Sequence, residues 1–157
     1  MLPRIHIIAG AIFSIILYLF FPQIKLVGAL IIFLSSFLID IDHYLYYVYK
    51  KKDFSLRRAY RWFIKNKDLF NRMNKKQKDK FYHGLCFLHG FEAVILLSVA
   101  WIFLYPNNLA LFIILGFVFH QILDAINLYN ARRDYDKILS FIYSVQKSRD
   151  KKLLQEI

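Results

Sequence analysis

The chain sets histidines and acidic residues where its neighbours are oil-like. Asp40, Asp42 and His43 interrupt "SSFLIDIDHYLYY", His6 opens a run of isoleucines, His83, His89 and Glu92 punctuate "HGLCFLHGFE", and His120 and Asp124 stand in "FHQILDAIN". Every histidine of the 157-residue sequence is among them. Asp40 and His43 are three apart, as are His89 and Glu92, and His120 and Asp124 are four apart, so each pair shares one face of a helix. Asp42 points about 200° away from Asp40 on a regular helix and needs a bend to join it. His6 is followed one turn later by Gly10, where a second helix can come close. An isolated charge inside a membrane costs about 2.5–3.5 kcal/mol even on the mildest scale. Bound divalent cations supply the missing positive charge, and imidazole with carboxylate suits zinc, manganese or iron. The expected ligands are His6, Asp40, His43, His83, His89, Glu92, His120 and Asp124, holding one or two ions. Glu92 and Asp42 are the candidate general bases, since each lies beside the ligands. His83 precedes Gly84 at a loop-to-helix junction, where a ligand role and a surface role are both open. Cys86, the single cysteine, excludes an internal disulfide and a multi-cysteine zinc site.

The elements that must hold these residues are hydrophobic spans. A composition that is 58% hydrophobic and 18% aromatic, with mean hydropathy +0.37, is too apolar for an ordinary soluble domain. Residues 5–21, 26–48, 84–105 and 109–129 form apolar runs of the ~17–25 residues that cross a bilayer. None contains a lysine or arginine. The pattern predicts an all-α integral membrane protein, a four-helix transmembrane bundle within residues 1–130, followed by an amphipathic tail over 131–157. The first run carries His6 and passes through "FFPQIK" without a small-residue cleavage site, so it is expected to be retained rather than removed as a signal. Pro22 and the sequence Pro106-Asn107-Asn108 mark tight turns between antiparallel helices. Of the 22 lysines and arginines, all but Lys25 then fall on one side. That asymmetry predicts a multi-pass protein of the cell membrane with both termini and the basic loop 49–83 in the cytoplasm.

In that loop Leu56, Tyr60 and Phe63 recur at helical spacing, with Arg57, Arg61 and Lys65 on another stripe and Asp53 or Ser55 available as an N-cap. A basic amphipathic helix lying along anionic headgroups is expected. The charge of +11 sits in such blocks, which suits an anionic lipid surface, and no nucleic-acid partner is expected. In the tail, Tyr135, Ile138, Ile142 and Val145 form a stripe that can pack beneath the bundle or dock a second copy in a homo-oligomer. With this orientation all four helices bring polar residues to a similar depth, on the order of 10 Å inside the cytoplasmic edge at about 1.5 Å per residue.

The pairing of carboxylate with imidazole is similar to that of dimetal helix bundles, in which Glu-x-x-His pairs project inward. More specifically, "HIIAG" at His6, "IDIDH" ending at His43, "HGLCFLHGFE" from His83 to Glu92 and "HQILD" from His120 to Asp124 resemble the motifs of the prokaryotic membrane-bound metal-dependent hydrolases. The resemblance runs from His6 to Asp124 and implies metal or catalytic positions at His6, Asp40, Asp42, His43, His83, His89, His120 and Asp124. The central motif departs from that family's usual form: Gly84 rather than an arginine follows His83, and Glu92 follows His89. The function expected is a metal-dependent hydrolase at the cytoplasmic leaflet acting on a phospholipid or other lipid-linked phosphoester. Two alternatives use the same residues: a metal or proton conduit, and a haem protein with histidine axial ligands. A conduit needs ligands spread along the membrane normal, and haem has less use for the carboxylates.

Overall fold

The computed structural model describes residues 3–78, 81–82, 87–103, 107–130, 141–150 and 152–153. Helix α1 spans Pro3–Phe20 and ends before Pro22, which opens a short 3-10 turn over Pro22–Ile24. Helix α2 spans Lys25–Leu38 and α3 spans Ile41–Lys51. The basic segment folds as α4, Leu56–Arg72, and a single-turn α5, Lys75–Lys78. Helix α6 spans Phe91–Phe103, α7 Asn108–Asn130 and α8 Phe141–Asp150. The only sheet among the described residues is two residues wide: β1, Phe81–Tyr82, pairs in parallel with β2, Lys152–Leu153. The architecture is otherwise all-helical.

Two boundaries differ from the expected ones. The run 26–48 is broken at Ile39 and Asp40 into α2 and α3. In the run 84–105 the described residues 87–90 are turns and bends, and helix α6 starts at Phe91. Bonds to distant segments hold these turns: the Leu88 amide donates to Asp42 Oδ2 at 3.0 Å, and the Gly90 carbonyl, which also accepts the Ala93 amide at 3.1 Å, takes a bond from Gln121 Nε2 at 3.1 Å.

Helix α2 is the centre of the packing, in contact with α1 on one side and α7 on the other; α1 also touches α7, and α6 packs on α7. Small residues make the close approaches. A Cβ on Gly10 would overlap Ser36 Oγ, and one on Gly116 would overlap Ser35 Oγ and lie 2.7 Å from the Ile32 carbonyl. Successive serines of α2 thus receive a glycine from each neighbour, with backbones close enough for dispersion to act over their length. Phe13 and Phe119 stack at 4.0 Å where α1 meets α7.

The distribution of polarity is inverted relative to a water-soluble fold. His6, Ser14, Ser35, Ser36, Asp42, His89, His120 and Gln121 are buried, while Ile8, Ile12, Ile15, Leu19, Leu26, Val27, Leu96, Ile102 and Phe103 are exposed. Two stretches are long and apolar enough to cross a membrane, Pro22–Lys51 of 30 residues and Asn108–Asn127 of 20. Arg4–Phe20 and Phe91–Phe103 are apolar but shorter.

Helix α4 turns back along α3. Ser55 Oγ accepts the Arg58 amide at 3.4 Å and so caps it, which settles the choice between the two expected caps. Asp53 accepts the Ser55 amide at 3.0 Å, takes two bonds from Arg58 and receives the Tyr47 hydroxyl, tying the start of α4 to α3.

Candidate metal centre

The break between α2 and α3 is what assembles the site. Within a regular helix the Ser36 carbonyl would accept the Asp40 amide four residues on. Here the Asp40 amide bonds to Phe37 O at 3.1 Å instead, and His43 N to Asp40 O at 3.1 Å, so the chain tightens by a residue per bond. The Ser36 carbonyl is released and accepts His120 Nδ1 at 2.8 Å. A carbonyl can only accept, so His120 carries its proton on Nδ1 and presents the Nε2 lone pair inward.

The same break supplies the bend that Asp42 requires. Asp40 and Asp42 both reach His89, one at each ring nitrogen: Asp42 Oδ2 lies 3.0 Å from Nδ1 and Asp40 Oδ1 lies 3.3 Å from Nε2. Asp42 Oδ2 also accepts the Leu88 amide, so it acts as an acceptor towards both groups and His89 donates from Nδ1. In the neutral ring with its proton on Nδ1, Nε2 would offer a lone pair to a cation, as that of His120 does; without a cation the same nitrogen can donate to Asp40 Oδ1. The two Nε2 atoms face each other at 3.2 Å. Two lone pairs at that separation repel unless a cation or a proton lies between them.

The surrounding groups complete a donor set. Asp124 Oδ2 is 3.5 Å from His120 Nε2 and 3.9 Å from His89 Nε2, and Asp40 Oδ1 is 3.8 Å from His120 Nε2 and 3.7 Å from His43 Nε2. His6 stacks on His120 with ring centroids 4.1 Å apart, and its Nε2 is 3.3 Å from Asp124 Oδ1 without the alignment of a hydrogen bond. Both nitrogens of this fully buried ring lack a hydrogen-bond partner. Donor atoms within 4.8 Å of one another form three overlapping groups: His6, Asp40 and His120; Asp40, His43 and His89; and His89, His120 and Asp124. For bonds of ~2.0–2.1 Å the edges of a tetrahedron are about 3.3–3.4 Å, so separations of this order suit a divalent ion. The orphaned His6 nitrogens and the facing Nε2 atoms of His89 and His120 among carboxylates make the same point chemically: the donors fit a cation.

Six of the expected ligands, His6, Asp40, His43, His89, His120 and Asp124, therefore come together, and Asp42 joins them from behind His89. Glu92 belongs to none of the three groups. Its Oε2 accepts the Phe141 amide at 2.9 Å and its Oε1 the Ile142 amide at 3.3 Å, so it caps the start of α8. With α6 starting at Phe91, Glu92 is a first-turn residue, at the span entrance where the sequence places it, but turned to α8 rather than to the donor groups. His83 and Cys86 lie outside the described residues, as do Tyr135 and Ile138 of the tail stripe. Sequence reasoning missed Gln121, whose buried amide holds Gly90 beside His89; its position next to His120 was the available signal. It also missed the Ser36 carbonyl, a backbone group for which side-chain spacing carries no signal.

No curated protein and no solved structure matches the chain. A family model described as YdjM inner membrane protein matches residues 1–132, a stretch that contains every one of the converging donors. That description names a membrane and says nothing of metal or hydrolysis. Two stretches long enough to cross a bilayer, an apolar exterior around polar side chains and a match over most of the length agree on one assignment: the chain belongs to the YdjM inner membrane protein family.

Proposed function

We propose that the protein is a membrane-embedded metal-dependent hydrolase, working at the cytoplasmic leaflet on a phospholipid or other lipid-linked phosphoester. The observation that carries this reading is the 3.2 Å approach of the Nε2 atoms of His89 and His120, each with its Nδ1 already engaged. One imidazole Nε2 serves one ion, whereas a carboxylate can bridge two. The groups His6, Asp40, His120 and Asp40, His43, His89 share only Asp40. His6, Asp40 and His120 would hold one ion and Asp40, His43 and His89 a second, while the group of His89, His120 and Asp124 would serve a single ion, so the donor set suits one or two ions.

A divalent ion in these groups supplies Lewis acidity to a phosphoryl oxygen and acidifies water. The chain's own residues supply the rest. Asp42 and the Ser36 carbonyl hold His89 and His120 in the tautomers that accept a cation. Of the two carboxylates read as general bases, Glu92 is engaged at both oxygens, whereas Asp42 Oδ1 is buried with no hydrogen-bond partner. Asp42 is accordingly the better placed to take a proton. The exposed face of α4 forms a groove of about 420 Å³ in which Arg61, Lys65 and Arg72 stand with Asp68 among Tyr60 and Leu69. Such a face suits the anionic surface of the cytoplasmic leaflet, with about 1 kcal/mol per cation near the membrane.

Metal analysis of detergent-purified protein tests the reading. One to two divalent ions per chain are expected, lost in His120→Ala and retained in Glu92→Ala, together with metal-dependent release of soluble phosphate from anionic phospholipid vesicles. Metal-free protein of unchanged stability would overturn it. Ion flux into sealed vesicles without turnover of any lipid class would point to the conduit instead.

A further inference from the structure

The turn that carries His89 has little order of its own. Residues 87–90 are turns and bends, without the helical pairing that fixes His43 on α3 and His120 on α7. The position of His89 therefore depends on what grips the turn. Asp42 takes the Leu88 amide and His89 Nδ1, and Gln121 Nε2 donates to the Gly90 carbonyl. A third grip comes from the C-terminal helix α8.

The seat of α8 is formed by Glu92 and Gly90. Glu92, three residues after His89, places Oε2 2.9 Å from the Phe141 amide and Oε1 3.3 Å from the Ile142 amide. Phe141 and Ile142 open α8, where amides have no partner within the helix and the helix dipole favours a carboxylate. Gly90 is buried and must lack a side chain for the two segments to meet. A Cβ there would overlap Glu92 Oε2, lie 2.8 Å from the Phe141 nitrogen and lie 3.2 Å from Phe141 Cβ. Gly90 thus adjoins His89 along the chain and the first residue of α8 in space. Beyond α8, β2 is also held, by its pairing with β1.

Helix α8 lies outside residues 1–132, the stretch that the family model matches, whereas its seat lies within it. An attachment from outside that stretch therefore ends one residue from a candidate metal donor. While α8 is seated, the turn keeps His89 Nε2 at 3.2 Å from His120 Nε2 and 3.3 Å from Asp40 Oδ1. When α8 lifts, the turn loses one grip in three, and His89 is freer to leave the group. A donor that leaves and returns sets how fast a bound ion exchanges.

We infer that α8 is a strap that regulates the metal group: seated on Glu92 and Gly90 it holds His89 towards the ion, and unseated it lets the ion exchange. The inference rests on the metal reading. Glu92 is then a positioning residue that acts through the turn of His89, which fits its absence from the three donor groups.

Full-length protein in detergent tests it, as wild type, Phe141→Pro, Phe141→Ala and Glu92→Gln. Proline is tolerated at the first position of a helix but lacks the amide that Glu92 Oε2 accepts, whereas alanine removes the ring and keeps the amide. Two rates are read: deuterium exchange of the amides of residues 88–93 in ion-free protein, and loss of zinc from loaded protein to excess chelator. Phe141→Pro should speed both at least tenfold while keeping wild-type zinc content before the chelator is added, and Phe141→Ala should follow wild type. Glu92→Gln, which keeps one acceptor oxygen and loses the charge, should fall between them and decides the matter if Phe141→Pro does not fold. Unchanged deuterium exchange overturns the inference, as does faster exchange with unchanged zinc loss. Equal effects of proline and alanine also overturn it, by assigning the contact to packing of the Phe141 ring. A wild type that takes up no zinc refutes the metal reading and the regulation with it, and the deuterium exchange of ion-free protein still decides whether α8 clamps the turn.

Discussion

Ser36 gives the candidate metal group no side-chain donor, yet its carbonyl fixes how His120 would meet a cation. Its hydroxyl lies against Gly10 and donates to Phe33 O, while its carbonyl, freed by the break in the helix, holds His120 Nδ1. Asp42 does the corresponding work for His89, with the difference that a side chain can be replaced. Asp42→Asn keeps an oxygen that can accept from Nδ1 but removes the charge that makes His89 more basic and adds an amide that must find its own acceptor in a fully buried place. Metal affinity should fall roughly 10–100-fold, the range seen when a partner behind a ligating histidine is removed. Competition with a chelator measures it, and an affinity equal to wild type would show that His89 is held by other means. Glu92 illustrates the opposite case: a carboxylate one turn from a ligating histidine in sequence, but committed at both oxygens to the amides of another helix.

At the level of elements, the hairpin of α3 and α4 adjoins the candidate site through His43 and Phe63. Its anchor is Asp53. The Arg58 guanidinium, at 2.6 and 2.7 Å, is the main cause holding the Asp53 carboxyl well below the usual carboxylate range, helped by the Tyr47 hydroxyl and the Ser55 amide; Arg58 is pushed upward in return. A depressed carboxylate stabilises the folded hairpin above its ordinary value of about 4 and loses that contribution as pH falls through the folded value. Trp62 packs edge-on against Tyr47 and reports on the contact. In a Trp101→Phe background its emission should stay constant down to about pH 4 and shift to the red progressively as pH falls further towards the depressed folded value. Asp53→Asn should show the red-shifted emission already at neutral pH; an emission indifferent to both changes would mean that α4 is held by its aromatic stripe alone. The C-terminal segment is a second attachment. Helix α8 docks on Glu92 and β2 pairs with β1.

For the whole molecule, the deciding property is where polarity lies. Exposed isoleucines and leucines on α1, α2, α6 and α7 surround an interior of histidine, aspartate and serine, an arrangement that would aggregate in water. In a bilayer the proposed orientation has a sharp consequence, because Lys25 is the one basic residue on the far side. In sealed right-side-out vesicles with Cys86→Ser, an impermeant thiol reagent should label Lys25→Cys directly and Lys76→Cys only after permeabilisation. The reverse pattern would put the metal group at the outer leaflet. Much of this was legible in the sequence. The apolar runs, the spacing of His120 and Asp124 and the small residue at Gly10 follow from local pattern, since helical periodicity and hydropathy are short-range properties. The basic helix at Leu56–Arg72 was equally readable, because its apolar and cationic stripes repeat within a few turns. What the sequence by itself determined was therefore which residue types stand on which helix and near which end. Tertiary structure alone decided the break at Ile39 and Asp40, the meeting of Asp42 with His89 and the engagement of Glu92 by α8. Each of those depends on a hydrogen bond, a close approach or a packing register between segments distant in the chain, and no periodicity along a single segment encodes the partner on another.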